Sequence, residues 1–215
     1  MTEGSSGNEN NFFAAYNLLL SFAGSFILHE PKSGCISDLI EMDLFKKLPV
    51  DSDNPKFLMA SGYLRKINPD HPLDYDEIIN DHLELFGNKG KTLAPPYGSV
   101  YMSADSIIND TTSLEVRKIY YAYGWKSDLE GKVPDDHLGI ELQFINLLLD
   151  KYPRLEDDIC RNEVKKDLKK FIRLYISPWI YSWNKDLQKN AESDFYKGLG
   201  YLIVSSVEDI LSYLE

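Results

Sequence analysis

Cysteine is scarce in the 215-residue sequence, which contains only Cys35 and Cys160. They lie far apart and form no Cys-x-x-Cys pair, so the sequence predicts neither a disulfide framework nor a zinc ribbon. Such sparse cysteine usage is typical of a reducing compartment. We therefore expect a cytoplasmic location.

Basic residues are also outnumbered, because 23 Lys and Arg stand against 34 Asp and Glu and give a formal net charge of −11 at pH 7. Binding to phosphate backbones depends on the opposite charge balance, so the composition argues against nucleic acid as a partner. An acidic surface keeps a protein soluble, and it favours basic ligands such as a peptide that carries arginine.

Sequence signatures of catalysis are missing as well. The chain contains no GxSxG nucleophile elbow, no Walker loop, no GxGxxG motif and no cysteine in a catalytic signature. His137 and Glu141 have helical spacing, but a carboxylate-bridged metal site needs further Glu-x-x-His pairs on partner helices. The other histidines, His29, His71 and His82, supply none. The sequence therefore predicts no catalytic residue, no metal and no cofactor.

One long apolar run, residues 12–28, has the composition of a membrane span or of the apolar part of a signal sequence. Acidic rather than basic residues precede it, and no clear cleavage site follows. Asn17, Ser21 and Ser25 recur every four residues and would form one polar stripe on a helix. The run therefore predicts a buried helix of a soluble protein, without stable membrane insertion.

Apolar residues recur at three-to-four spacing along most of the chain, and prolines separate the periodic segments. The pattern predicts an all-α protein, a single compact body of about nine to eleven helices. We expect helices from about residue 10 to 28 and at 36–48, 54–67, 73–86, 113–124, 134–151, 157–175, 177–189 and 193–214. The last contains YLIVSSV, which propensity alone assigns to a strand, but its helical period favours a helix.

The predicted domain organisation has two helical halves. Residues 1–9 are polar and rich in glycine and serine, which is typical of a disordered tail. Residues 10–125 form the N-terminal half, 126–133 a short polar connector or hinge, and 134–215 the C-terminal half. Within the first half, residues 87–101 carry glycines and adjacent prolines that interrupt the helical pattern, and their large apolar side chains favour an ordered loop.

The segment KVPDDHLGIELQF begins the second half. Pro134 suits the first position of a helix, and Asp135 and Asp136 would then lie in its first turn, where carboxylates complement the helix dipole. One interpretation is an acidic helix start beside a partly exposed His137. The alternative is a titratable cluster in which Asp136, His137 and Glu141 hold a guanidinium group.

Two aromatic segments are candidates for packing or for binding. APPYGSVY, residues 94–101, predicts a rigid turn that packs two tyrosines into the core, and it equally fits a preformed apolar surface for a peptide. In ISPWIYSW, Ser177 is positioned to cap a helix with Pro178 at its first residue. Trp179 and Trp183, one turn apart, indicate anchors of the core.

Four blocks occur in order along the chain: HLELF at 82–86, APPYGSVY at 94–101, VPDDHLGIEL at 133–142 and SPWIYSW at 177–183. In order and spacing they resemble the TorD/DmsD family of redox-enzyme maturation chaperones, which includes NarJ-type proteins. The most specific part of the resemblance is a proline-rich aromatic loop followed further along by Pro-x-Asp-His at a helix start.

The resemblance implies an all-helical, non-enzymatic cytoplasmic chaperone that binds the twin-arginine signal peptide of a molybdenum-cofactor enzyme, such as a DMSO or TMAO reductase. It would hold the precursor until the cofactor is inserted and so prevent premature export. By the same resemblance, Asp136 and His137 recognise the signal peptide. The resemblance also implies that the aromatic loop and the preceding Leu-Phe pair contribute to the same peptide-binding surface, beside the acidic cluster that includes Glu141. The residues of this surface are Leu85, Phe86, Pro96, Tyr97 and Tyr101.

Other interpretations stay open at the level of sequence. An adaptor with an unrelated client fits the same composition. A small helical hydrolase would use Asp136 and His137 as an acid–base pair, although adjacent helical residues point about 100° apart. Components of the twin-arginine translocase are further candidate partners. A monomer and a homodimer that swaps domains at 126–133 are both compatible with the sequence.

Overall fold

The computed structural model describes residues 3–32, 44–67, 74–87, 92–103 and 110–215, together with residues 34, 38, 39 and 41. Nine α-helices and one π-helical turn lie within the continuous described ranges, which contain no strand. The helices are α1 (Glu3–Leu28), α2 (Pro55–Leu64), α3 (Tyr75–Phe86), α4 (Gly98–Met102), α5 (Asp110–Ala122), α6 (Leu138–Arg154), α7 (Asp158–Phe171), α8 (Ile180–Asn190) and α9 (Asp194–Tyr213). The all-α prediction is confirmed.

Capping residues set where several helices begin. The side chains of Asn54, Asp74, Asp157 and Ser193 each accept a backbone N–H from the first turn of α2, α3, α7 and α9, respectively. Such caps satisfy donors that have no partner within the helix itself. After α5, Gly124 has a φ of 65°. This is the left-handed conformation in which glycine commonly ends a helix.

α1 begins at Glu3, upstream of the start predicted near Asn10. Glu9 forms an ion pair with Lys165 of α7 and accepts a hydrogen bond from the Tyr152 hydroxyl of α6. These partners compensate the polar composition of the segment, which had indicated disorder. The structure describes residues 3–9 as part of α1, where the sequence predicted a disordered tail.

Two further predictions concern the helix at 36–48 and the division into halves. The helix predicted at 36–48 lies largely outside the described residues, and its described end, residues 44–48, is a turn and bend. The division into halves about 126–133 stays a prediction. α1, from the predicted N-terminal half, packs along α6 and α9 of the predicted C-terminal half, so these segments contribute to one core.

α9 is the central helix, in contact with α1, α2 and α8. It spans YLIVSSV, which confirms a helix rather than a strand there, and its aliphatic residues from Leu199 to Ile210 are buried. α1 crosses α6 at a pair of glycines. A Cβ on Gly139 would lie 2.7 Å from Leu28 Cβ and 3.1 Å from Gly24 O. Helices this close leave no room for a side chain at the crossing, which is why glycine is required there.

α1 is the one helix among the described residues that is long and apolar enough to cross a bilayer, over residues 7–28. Core helices of globular proteins meet the same criteria of length and composition. One side of α1, including Phe13 and Ile27, is buried. Its predicted polar stripe is exposed or half-exposed, so the helix is amphipathic as the sequence indicated.

A π-helical turn, Ile172–Ile176, changes the predicted start of α8. Ser177 donates its N–H to the first carbonyl of this turn, and the wider turn continues the preceding helix as far as Ser177. α8 therefore begins at Ile180 with Trp179 in the N-cap position, and the predicted Ser177 cap is wrong. Trp179 and Trp183 are fully buried, which confirms their predicted role as core anchors.

Candidate functional site

Two segments that lie apart in sequence meet in the structure: residues 92–103, here termed the aromatic loop, and residues 134–137, the acidic turn. Two backbone hydrogen bonds, of 3.0 and 2.8 Å, run from Gly98 N–H to Asp136 O and from Leu138 N–H to Pro96 O. The Tyr97 ring meets the His137 ring edge to face, with centroids 5.1 Å apart. Two blocks of the resemblance therefore form one structural unit.

Trp179 fixes the aromatic loop to the core. A Cβ on Gly98 would lie 3.0 Å from Trp179 Nε1, so the loop backbone passes directly over the indole. The Tyr101 ring stacks on the same indole with centroids 5.7 Å apart. The loop is ordered in its described part, as its large apolar side chains predicted.

α6 begins later than the sequence predicted. Pro134 and both aspartates precede the helix, which starts at Leu138. His137 is the N-cap, and its Nδ1 accepts the Gly139 N–H over 3.0 Å. The prediction failed because the carboxylates of the two aspartates bond to other parts of the chain, which left the neutral imidazole to cap the helix.

Asp135 connects the acidic turn to α5. Its N–H donates to Ser113 Oγ over 2.7 Å, and its carbonyl accepts the Tyr120 hydroxyl over 3.0 Å. Its Oδ2 accepts a hydrogen bond from Arg117 Nε and pairs with a terminal nitrogen of the same guanidinium, both at 2.6 Å. α5 is therefore held over the acidic turn through one residue.

Asp136 and Glu141 are buried and incompletely bonded. Asp136 is 0% exposed, and its Oδ2 accepts the Ser99 N–H over 2.9 Å. Within the described part of the chain, Asp136 Oδ1 and Glu141 Oε2 have no hydrogen-bond partner. Glu141 is 1% exposed and lies in the first turn of α6. Leaving a buried polar atom unpaired costs about 1–3 kcal/mol, and more for a charged group.

Burial raises the pKa of both carboxyl groups. For Asp136 the effect of burial is opposed by the hydrogen bonds from Ser99. For Glu141 burial, and then the charge of Asp136, hold the pKa well above its usual value. The site therefore favours the protonated form of Glu141. A cation bound beside the two carboxyl groups would favour their ionised forms instead.

His137 is buried rather than partly exposed, which corrects the sequence-based interpretation. Burial, and then the nearby His29 and His82, lower its pKa to about 3. His82 is also buried, and both of its ring nitrogens are without a partner among the described residues. Burial and then His29 lower the pKa of His82 to about 4. Both imidazoles are neutral at neutral pH.

The apolar residues predicted for the site differ in their accessibility. Leu85 and Pro96 are buried, and Leu85 O accepts a hydrogen bond from Ala94 N–H of the aromatic loop. Phe86 is 9% exposed and packs edge-on against the His82 and Tyr196 rings. Leu85 therefore anchors the loop through its backbone, and Phe86 belongs to the core.

Tyr97 and Tyr101 are half-buried and form the accessible part of the predicted surface. The structure thus brings Pro96, Tyr97, Asp136 and His137 together, with Glu141 beneath them. Phe86 and Tyr101 pack against other partners. The acidic residues that the sequence placed at the start of a helix form a closed cluster, because the aromatic loop and α5 cover them.

An apolar cavity of about 250 Å³ lies on the other side of α5. It is lined by Lys118, Ile119, Ala122, Tyr123, Phe144, Asp167, Lys170, Phe171 and Tyr175. Tyr120 separates this cavity from the acidic turn, since its hydroxyl bonds to Asp135 and its ring packs on Phe144 at 4.8 Å. Among the described residues, no group of three or more His, Cys, Asp or Glu side chains is arranged to hold a metal ion.

The family model described as nitrate reductase delta subunit matches residues 59–184, more than half of the chain. The chain belongs to this family. The matched region contains the aromatic loop, the acidic turn, α5, α6 and Trp179. The predicted resemblance to the TorD/DmsD chaperones, which is carried by the same region, is confirmed.

Curated relatives agree with this assignment. The chain is 27% identical over 138 residues to the chaperone protein TorD of Vibrio parahaemolyticus, an alignment that covers 64% of each protein. It is 26% identical over 131 residues to a Tat proofreading chaperone, DmsD, of Haemophilus influenzae, covering 61% of this chain and 59% of the relative. The aligned part spans less than two thirds of either relative.

A solved structure of a redox enzyme maturation protein from Archaeoglobus fulgidus is similar over 93% of both chains, with a TM-score of 0.49 and 16% identity.

Sequence reasoning missed the residues of α5 and the partner of Asp136. Ser113, Arg117 and Tyr120 contact Asp135 from well upstream, and Ser99 bonds to Asp136 across 37 positions. The only local signal was the spacing of the three α5 residues, which puts them on one helix face. This spacing does not indicate which distant turn of the chain the three residues contact.

Proposed function

We propose that the protein is a cytoplasmic chaperone that binds the twin-arginine signal peptide of a molybdenum-cofactor enzyme precursor of the DMSO or TMAO reductase class. It holds the precursor during cofactor insertion and prevents premature export. Family membership and the names of the relatives support this class of protein. One observation supports this binding site most directly. Asp136 and Glu141 are buried carboxyl groups, and each has an oxygen that lacks a partner among the described residues.

A guanidinium group is the cation that fits this pair. Its planar fork of N–H donors satisfies two carboxylate oxygens at once, and it is weakly hydrated and so tolerates burial. Hydrogen bonds to charged groups contribute about 1.5–3 kcal/mol. Binding would therefore satisfy Asp136 Oδ1 and Glu141 Oε2, and the cation would offset the cost of ionising Glu141.

Access to the carboxylates requires the aromatic loop to separate from the acidic turn. Two backbone hydrogen bonds, the bond from Ser99 N–H to Asp136 Oδ2 and the contact of Tyr97 with His137 hold the two segments together. Each such hydrogen bond contributes about 0.5–1.5 kcal/mol net, so opening costs only a few kcal/mol. The apolar part of the signal peptide then packs against Tyr97, Tyr101 and Phe86, the aromatic residues of the predicted surface.

A hydrolase that uses Asp136 and His137 is disfavoured by the geometry. His137 Nδ1 is already engaged by the Gly139 N–H, and a pKa of about 3 makes the imidazole a weak base. Asp136 bonds to Ser99 and does not orient the imidazole. We therefore propose a binding protein rather than an enzyme.

Calorimetric titration with a synthetic signal peptide carrying Ser-Arg-Arg-x-Phe tests the proposal. Asp136→Ala is expected to weaken binding about ten-fold or more, as for a desolvated charged contact. Replacing the two arginines of the peptide by lysines should cost a similar factor, because ammonium groups lack the planar fork. Asp150→Ala is the matched control, since Asp150 is an exposed carboxylate paired with Arg154.

Equal affinities of the wild type and Asp136→Ala for the peptide would remove Asp136 from the site. Co-purification adds a test of the client: a molybdenum-enzyme precursor should be retained from source cells when its signal peptide is intact and lost when the peptide is removed. Retention of an unrelated protein, with none of the precursor, would support an adaptor instead.

A further inference from the structure

Three side chains on one face of α5 converge on a single residue of the acidic turn. Ser113, Arg117 and Tyr120 contact the N–H, the carboxylate and the carbonyl of Asp135, at 2.7, 2.6 and 3.0 Å. All three polar groups of Asp135 are thus engaged by α5. The described part of the chain contains no other buried carboxylate paired with an arginine.

The ion pair with Arg117 is asymmetric in two respects. Arg117 directs both Nε and a terminal nitrogen to the same oxygen, Oδ2, rather than forming the fork-to-fork pair with two oxygens that is most favourable. In addition, the Arg117 side chain is 29% exposed, whereas that of Asp135 is 1% exposed. The arginine therefore covers a buried carboxylate from the solvent side.

Asp135 also lies next to Asp136 in the chain, and each of these adjacent residues presents a buried carboxylate. A twin-arginine segment carries two adjacent guanidinium groups and needs two acceptors. In the structure one acceptor, Asp136, has an oxygen without a partner among the described residues, and the other, Asp135, is bonded to an arginine of the chain itself.

Building on the function proposed above, we propose that Asp135 is a second guanidinium-binding residue of the peptide site. Arg117 occupies it in the unliganded protein in place of a client arginine. A client arginine displaces Arg117, pairs with Asp135, and weakens the attachment of α5. Arg117 therefore lowers the affinity for the client by competing with it, although it stabilises the fold.

If Arg117 served folding alone, its removal would leave the affinity for the client unchanged or lower it. The proposal predicts a higher affinity. In Arg117→Met the apolar stem remains and the competing charge is removed. We expect this variant to bind acetyl-Arg-Arg-amide, and the synthetic signal peptide, about ten-fold more tightly than the wild type. Arg173→Met is the matched control, because it removes an arginine from an exposed pair with Glu215.

Asp135→Asn closes the thermodynamic cycle. It keeps the backbone bonds to Ser113 and Tyr120 and removes the charge, so we expect about ten-fold weaker binding. In the Asp135→Asn background, Arg117→Met should give no gain in affinity. A gain of the same size in both backgrounds would show that Arg117 acts without Asp135 and would overturn the proposal.

Unchanged or weaker binding by a folded Arg117→Met protein would also overturn it. If that variant does not fold, Arg117→Lys takes its place, because a lysine keeps the charge but loses the fork, and a smaller gain in affinity is expected. In the wild type, the NMR signal of Arg117 Nε–H should shift and exchange faster with solvent as the dipeptide amide is added. An unmoved signal at saturation would contradict displacement.

The dipeptide amide separates this inference from the proposed function. If it binds with the expected dependence on Arg117 and Asp135 while the signal peptide binds no variant, the guanidinium site stands and the proposed client is wrong. If the signal peptide binds and requires Asp136, but neither Arg117 nor Asp135 affects its affinity, the proposed function stands and this inference fails.

Discussion

Asp81 and Asp136 are both buried aspartates, at 4% and 0% exposure, but their surroundings differ. Asp81, on α3, accepts hydrogen bonds from the N–H of Glu192 and from the N–H and hydroxyl of Ser193, at 3.2, 3.0 and 2.6 Å. It thereby fixes α3 to the start of α9. Asp136 accepts hydrogen bonds from Ser99 alone and leaves Oδ1 without a partner among the described residues.

The difference indicates different roles for the same chemical group. A carboxylate whose oxygens are all engaged contributes to the fold, since removing it would leave buried donors unpaired. A buried carboxylate with an unpartnered oxygen reduces stability unless something binds it. Glu141, one turn into α6, has the same character. On the proposed function, α3 carries a structural acid and the acidic turn a binding acid.

Substitution by alanine should separate these roles most clearly. Asp81→Ala is expected to lower the free energy of unfolding by about 3 kcal/mol, because it strands the donors of Ser193 and Glu192. Asp136→Ala should lower it less, by about 1 kcal/mol, because it strands the donors of Ser99 alone and also removes the unpartnered Oδ1. Urea denaturation followed by circular dichroism measures both. Equal losses would mean that Asp136 is as structural as Asp81.

Glu141→Gln should make the protein more stable and a poorer binder. The pKa of Glu141 is raised by burial, so the folded state holds a proton that the unfolded state has released above about pH 4.5, and stability falls as pH rises from there through the folded pKa. Glutamine has no such dependence. We expect a gain of about 1–2 kcal/mol at pH 8, less at pH 5, and about ten-fold weaker binding of the twin-arginine peptide.

Urea denaturation at the two pH values and calorimetric titration measure these opposite effects. The exposed Glu163→Gln, which removes a carboxylate paired with Lys166, is the control and should change neither quantity appreciably. A Glu141→Gln protein that is less stable at pH 8 would identify Glu141 as a structural acid like Asp81.

His137→Asn is expected to have a smaller effect, which appears only in acid. The folded pKa of His137 is about 3, below its usual 6.5, so between these values the unfolded state binds more protons and stability falls as pH drops below 6.5. Asparagine is a good helix N-cap and does not titrate. Thermal unfolding between pH 7 and 4.5 should therefore show a shallower loss of stability in the variant. An identical loss would assign the acid dependence elsewhere.

The sequence predicted the helices better than it predicted the site. Helical periodicity identified α9 despite its β-branched residues, and it identified the core role of Trp179 and Trp183, because burial on a helix leaves a local pattern. The start of α6 was missed, since local chemistry favours Asp135 and Asp136 as first-turn residues. Their actual partners are distant in the chain, and no local rule encodes such contacts.

Accessibility was the property least visible in the sequence. The identity of Asp136, Glu141 and His137 suggested a titratable cluster able to hold a guanidinium group, but the exposure of such residues depends on which elements pack over them. Here α5 and the aromatic loop do so, through Asp135 and through Tyr97. The burial of these acidic residues therefore follows from the tertiary structure and has no local signal in the sequence.

The carboxyl carbon resonance of Glu141, followed by NMR as a twin-arginine peptide is added at pH 7, tests most directly whether the acidic turn receives guanidinium groups. In the free protein we expect the shift of a protonated acid, and at saturation the shift of a carboxylate, because the bound cation favours ionisation. The resonance of Asp81 should not move. A peptide that binds while the Glu141 resonance also stays in place would show that the buried acids are not the receptor.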